Sequence, residues 1–244
     1  PTAPAGVEGT LSSITWPGER HLANVRQLTF GGENAEAYFS FDGSRLAFQA
    51  SKGPGTCDQI HTMKIDGSDV RSISDGGRTT CSYYTPDGKS VIYASTIKGG
   101  RECPPVPSFD QGYVWPIYDT YDIYVANADG SNVRPLTTTP GYDAEATIRK
   151  DGRIVFTSVR DGDMEIYSMN ADGSDVRRLT HREGPDGGPF YSADGKQIVF
   201  RGRPLQAGPE LDDYRALLKK GLWRPTSLEI FVMNEDGSQL RQVT

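Results

Sequence analysis

The sequence predicts an all-β fold assembled from repeated antiparallel sheets, and three observations carry that reading. A pentapeptide motif recurs at Val25-Arg-Gln-Leu-Thr29, Val70-Arg-Ser-Ile-Ser74, Val133-Arg-Pro-Leu-Thr137, Val176-Arg-Arg-Leu-Thr180 and Leu240-Arg-Gln-Val-Thr244. Between its copies, short runs rich in β-branched and aromatic residues are divided by Asp-Gly pairs, as in Lys150-Asp-Gly-Arg153, Arg160-Asp-Gly-Asp163 and Asn170-Ala-Asp-Gly-Ser174. Gly accepts positive φ freely and the Asp side chain bonds its own turn backbone, so each pair marks a strand reversal. Third, the pentapeptides are spaced by 45, 63, 43 and 64 residues, a unit of 43 to 45 with an insertion in alternate copies. A period near 40 to 45 with four strands per unit predicts the blades of a β-propeller.

Bulk properties fit. The 244 residues are 36% apolar, enough for a sizeable core, and the 28 Gly and 16 Pro make the chain rich in turns without making it disordered. A net charge of -6 with no basic run argues against nucleic acid. No apolar segment reaches the ~18 residues of a membrane-crossing helix.

Taken in order, residues 1–24 lack a sustained period and read as a loosely packed lead-in anchored through Trp16. Residues 25–244 form the propeller, with complete four-stranded blades at 35–74, 80–137, 144–180 and 187–244. Residues 25–29 are left as an outer strand without inner strands. That orphan predicts a missing last blade following Thr244; the competing reading is a closed four-blade ring with a redundant strand.

The turns Tyr38-Phe-Ser-Phe-Asp-Gly43, Tyr84-Thr-Pro-Asp-Gly-Lys89 and Tyr191-Ser-Ala-Asp-Gly-Lys196, with downstream runs of the Ile-Tyr-x-Met-Asn-x-Asp-Gly-Ser kind, resemble the WD-like repeats of TolB-type β-propellers. The resemblance covers 25–244. It implies a six-bladed ring, a periplasmic or otherwise extracytoplasmic home, and a binding role, and says little about activity because the scaffold serves many functions.

The internal copies separate scaffold from site. The aromatic column Tyr124, Tyr167 and Phe231 is expected between blades, with His61 in the same place in blade one. The acidic column Asp122, Glu165 and Glu229, with Gln59, is expected to bond backbone. The arginines of the pentapeptides read as a solvated rim that discourages edge pairing.

The meander places the blade-linking loops on one face, and there the copies differ. Asn34, Asp143 and Asp186, and two residues further on Glu36 and Glu145, open the inner strands near the channel mouth. Such carboxylates suit Ca²⁺ through oxygen ligands, or a cationic group; the alternative is that they cap loop N–H groups. An insertion at 98–120 brings Phe109, Tyr113, Trp115 and Tyr118, which either stack a ligand or form a small core of their own. A second insertion carries Pro209-Glu-Leu-Asp-Asp-Tyr-Arg-Ala-Leu-Leu-Lys-Lys-Gly221. Pro and acids at its start, Lys and Gly at its end, and Leu211, Tyr214, Leu217 and Leu218 on one face predict an amphipathic helix across that end of the ring.

Cys57, Cys81 and Cys103 fall on the same side of adjacent blades. Cys57 with Cys103 would staple the long loop, while Cys81 with Cys103 and Cys57 with Cys81 also satisfy the placement. One bridge would favour an extracytoplasmic home.

The functional expectation is a non-catalytic binding propeller that engages a protein or glycan through the inserted face. No catalytic residues, metal site or cofactor are expected beyond Ca²⁺ at the channel mouth. The sequence has no Gly-x-Ser-x-Gly elbow or phosphate loop, and His21, His61 and His181 are scattered. The alternative is a propeller lyase or hydrolase using Glu36 and Glu145, or the propeller of a prolyl-oligopeptidase-like peptidase.

Overall fold

The computed structural model describes residues 13–14, 17–53 and 55–244. Trp16 lies outside them. Four antiparallel sheets of four strands stand around a common axis as blades of a β-propeller. Blade one is Glu33–Phe39, Arg45–Ser51, Gln59–Lys64 and Arg71–Ser72; blade two is Thr79–Tyr84, Ser90–Ser95, Asp122–Asn127 and Arg134–Pro135. Blade three is Asp143–Ile148, Ile154–Ser158, Glu165–Met169 and Arg177–Arg178; blade four is Asp186–Tyr191, Gln197–Gly202, Glu229–Asn234 and Arg241–Gln242.

Local chemistry explains the meander. In the turn after each inner strand an Asp accepts from the backbone N–H two residues on: Asp42 from Ser44, Asp87 from Lys89, Asp151 from Arg153 and Asp194 from Lys196. The outer hairpins repeat the device with Asp66, Asp129, Asp172 and Asp236. These accepted bonds hold the Asp172 and Asp194 carboxyls below the usual carboxylate range, the Ser174 and Ser192 hydroxyls being the largest contributors.

Blades cohere through apolar layers. Ile92, Ile123, Phe156 and Met169 fill the space between blades two and three, and Val155, Ile166, Ile198 and Phe200 that between three and four. Burying each such side chain contributes roughly 1.5–3 kcal/mol. Close backbone approach completes the fit: a Cβ on Gly173, which sits at φ 90°, would overlap the Leu136 carbonyl of the preceding blade. Gly173→Ala is therefore expected to cost more than the ~1 kcal/mol of an ordinary unfavourable Gly replacement, read as a lowered urea midpoint at unchanged m.

The acidic column works differently from the sequence reading, which had it bonding backbone. In each blade the hydroxyl that closes the pentapeptide stands between the two groups. Thr137 accepts from Ile123 N–H (2.9 Å) and donates to Asp122 (3.1 Å); Thr244 accepts from Ile230 N–H (2.8 Å) and donates to Glu229 (2.8 Å). Ser74 serves Ile60 and Gln59, and Thr180 serves Ile166 and Glu165, in the same way. His61 is half-buried, its ring 5.7 Å from that of Phe48.

The pentapeptide at Val25 also needs a correction. It is not left without a neighbour, because the lead-in supplies one: Val25 pairs with Ile14 and Arg26 with Ser13. Its geometry matches the complete blades. The residue two before each pentapeptide arginine, Asn24, Asp69, Asn132, Asp175 and Gln239, lies in the left-handed region at φ 52–56°. Leu28 packs beneath Gly67 as Ile73 does beneath Gly130 and Leu179 beneath Gly237.

Candidate functional site

The two insertions meet. Trp115–Pro116 from blade two pairs antiparallel with Leu222–Trp223 from blade four, and Ile117 N–H bonds the Gly221 carbonyl at 2.7 Å. Both strands therefore span the top of blade three, which lies between their parent blades. Beneath them Ile117, Leu211, Tyr214 and Trp223 pack on Met164 of blade three. The helix Pro209–Leu218 buries Leu211, Tyr214 and Leu217 in this layer, while Leu218 is only partly covered. Tyr214 ties the helix down by donating its hydroxyl to Asp163 and accepting from Met164 N–H (3.2 Å).

The roof leaves two adjoining cavities. The outer one, about 890 Å³, runs between Pro105–Pro107, Tyr118, Tyr142 and the helix end at Leu218–Leu222. The inner one, about 430 Å³, lies over the channel mouth and is lined by Glu36, Cys81, Glu145, Arg78, Trp115, Tyr121 and others. Val106, Pro107, Pro116, Tyr118 and Tyr142 line both.

A bulge aims the mouth residues. Each inner strand shifts register, between Ala35 and Tyr38, Thr80 and Tyr83, Ala144 and Thr147, and Gly187 and Phe190. The second residue of each is left-handed: Glu36 (φ 50°), Cys81 (φ 53°), Glu145 (φ 56°) and Gly188 (φ 61°). Glycine would relax this position, yet three blades hold a Glu or Cys side chain there at some steric cost.

Glu145 accepts from Thr157 and Gly188 N–H, each at 2.8 Å, and pairs with Arg201. Burial alone would raise its pKa; Arg201 and those donors outweigh it and hold the carboxyl below its ordinary value. Gly188 has no side chain to obstruct the Arg201 guanidinium, which lies 5.8 Å from the Trp223 ring centre. Burial, and then Glu36 and Glu145, push the Cys81 thiol well up, so it stays protonated.

Of the residues expected at this face, the structure gathers Glu36, Glu145, Trp115 and Tyr118 around the inner cavity. Asp143 and Asp186 lie elsewhere, each buried against an arginine. Arg160 grips Asp143 at 2.8 and 3.0 Å above Phe156 and Tyr167, and Arg182 grips Asp186 over Phe200 and Phe231. These carboxylates brace the upper edges of their blades. Asn34 is exposed and donates to the Gly31 carbonyl (3.0 Å). Tyr113 is exposed and accepts from the Trp115 indole N–H (2.8 Å). Asp143, Asp186 and Glu145 are each answered by an arginine, and no group of three or more His, Cys, Asp or Glu able to hold a metal occurs among the described residues. Cys57 and Cys103 form a disulfide with Cα atoms 5.6 Å apart, and Cys81 is free.

Sequence reasoning missed Arg78, Tyr121, Tyr142, Arg201 and Trp223. Arg201 was detectable: its column on the second strands reads Gln49, Ala94, Thr157 and Arg201, varying between copies as the bulge column does.

Fold and site together define a β-propeller with a roofed upper face. The family model described as the TolB beta propeller domain matches residues 117–207, which span blade three and its borders, and the fold is of the TolB type. A structure assigned as TolB from Agrobacterium tumefaciens is similar at TM-score 0.62 and 23% identity, covering 84% of this chain and 62% of that one. TolB from Acinetobacter baumannii is similar at TM-score 0.59 and 21% identity, covering 88% and 44%. A puromycin hydrolase matches at TM-score 0.57 and 16% identity, covering 90% and 33%. The chain thus spans less than two thirds of the length of each, and at these identities the likeness is one of fold. No curated protein sequence matches the chain.

Proposed function

We propose that this chain is a binding propeller that engages a protein segment or a glycan in the roofed cleft of its upper face. The observation that carries the reading is the pairing of two insertions from different blades, which encloses aromatic and proline-lined cavities over the channel instead of merely decorating the loops. An acid–base role for Glu36 and Glu145 is served less well, because Arg201 holds Glu145 ionised and weakly basic. The disulfide supports an extracytoplasmic setting, and no helix is long and apolar enough to cross a membrane among the described residues.

The test is a survey of immobilised peptide and glycan arrays with the wild type and a Trp115→Ala/Tyr118→Ala variant. Retention of one ligand class, weakened at least about tenfold in the variant, is expected. Equal retention by both proteins overturns the site.

The same reading includes a further blade between blade four and blade one. It is supported by the blade-like geometry of the hairpin at Val25 and by the uncovered flank of blade four, where Val199 and Ile230 are 37% and 39% exposed while their blade-three equivalents Val155 and Ile166 are fully buried.

A further inference from the structure

The inner cavity is a dead end with unbalanced charge. Below the bulge, Tyr38, Tyr83 and Phe190 close around the axis with ring centres 4.3, 5.9 and 6.0 Å apart, so an entering ligand must stop there. Of its charged groups Asp58 is paired with Arg78 (3.0 Å) and Glu145 with Arg201; Glu36 makes no ion pair among the described residues. One net negative charge therefore faces a chamber walled by Trp115, Tyr121 and Tyr142, whose ring faces also favour a cation. Arg78 adds an unmet donor, since its Nε is buried without a partner. The lip carries the opposite sign: Lys219 and Lys220 line the outer cavity and make no ion pair among the described residues, with Asp119 alone against them, because Arg215 is answered by Glu183.

We infer that the inner chamber receives the free amino terminus of a peptide, its α-ammonium at Glu36 and its first carbonyl at Arg78, with the chain leaving past Tyr118 to the lysine lip. The inference rests on the binding reading above and names its ligand. A closed floor selects a chain end, the single uncompensated carboxylate selects the amino end, and the proline- and tyrosine-lined neck accommodates the apolar stem behind it.

The test uses a pool of random hexapeptides with free amino termini, the same pool N-acetylated, and an N-acetylated pool with a fixed internal lysine, each incubated with the immobilised chain and counted by mass spectrometry. Retention of the free pool at least about tenfold above both acetylated pools is expected. Glu36→Gln should abolish that preference while leaving the thermal melt unchanged, because Glu36 is exposed and unpaired. Equal retention of the free and acetylated pools that is lost in Trp115→Ala overturns the amine and leaves binding at this face standing. Retention of the lysine pool alone assigns the chamber to a side-chain amine and overturns the terminus. Retention insensitive to both variants, or none from any pool, overturns the inference and peptide binding at this face together.

Discussion

Ile166→Ala is expected to cost about 2–5 kcal/mol of folding stability, while Ile230→Ala, the same position one blade on, is expected to cost about 1 kcal/mol or less. Both residues lie on a third strand, next to the acid that opens it, buried Glu165 or half-buried Glu229, and both present the same branched side chain. The difference is the neighbour. Ile166 is fully buried with Val155 against Ile198 and Phe200 of blade four, so truncation leaves a cavity in a packed layer. Ile230 already meets solvent, and the area removed from water by its side chain is correspondingly small. Urea unfolding of the two variants, with m checked for constancy, measures the contrast. Equal losses would mean that the flank of blade four is already covered in the 244-residue chain, against the exposure of Val199 and Ile230.

Loss of the Cys57–Cys103 bridge is the second large effect. The residues are separated by 46 positions, and removing the closure of a loop of that length frees about 4 kcal/mol of unfolded-chain entropy. Its consequence is also local. Cys103 is followed within four residues by Val106 and Pro107, which wall both cavities, and by Pro105, which walls the outer one, so the bridge fixes that wall to the loop preceding the third strand of blade one. Cys103→Ser is expected to lower the urea midpoint and to weaken capture of any ligand held in the cleft more than the Ile166→Ala variant does at the same fraction folded. A variant with an unshifted midpoint would show that the loop is held by its other contacts, such as the bond from the Tyr118 hydroxyl to the Pro105 carbonyl (2.7 Å).

Much of the fold was legible because it is repeated. A pentapeptide with its arginine, an Asp-Gly turn and an alternating aromatic are local devices, and their recurrence at a fixed period reports the blade directly. The amphipathic helix was legible for the same reason, from Pro209, its acids and its apolar face. What could not be read is how side chains choose partners across the ring. Asp143 and Glu145 are two residues apart and chemically alike, yet one is locked by Arg160 at the blade edge and the other faces Arg201 of the next blade. The bulge between them decides this, and a bulge leaves little trace in composition when its left-handed residue is Glu or Cys instead of Gly. The pairing of Trp115 with Trp223 was hidden likewise, because short strands of two residues carry no period. The lead-in strand at Ser13–Ile14 escaped for the same reason.

Hydrogen–deuterium exchange of the chain with a captured ligand tests the central claim most directly, since it reports which end of the propeller is covered. Protection is expected at residues 35–37, 80–82, 105–121 and 217–223, around the bulges and the paired insertions. Protection confined to the Asp-Gly turns of the opposite end, at 66–69, 129–132 and 172–175, would contradict it.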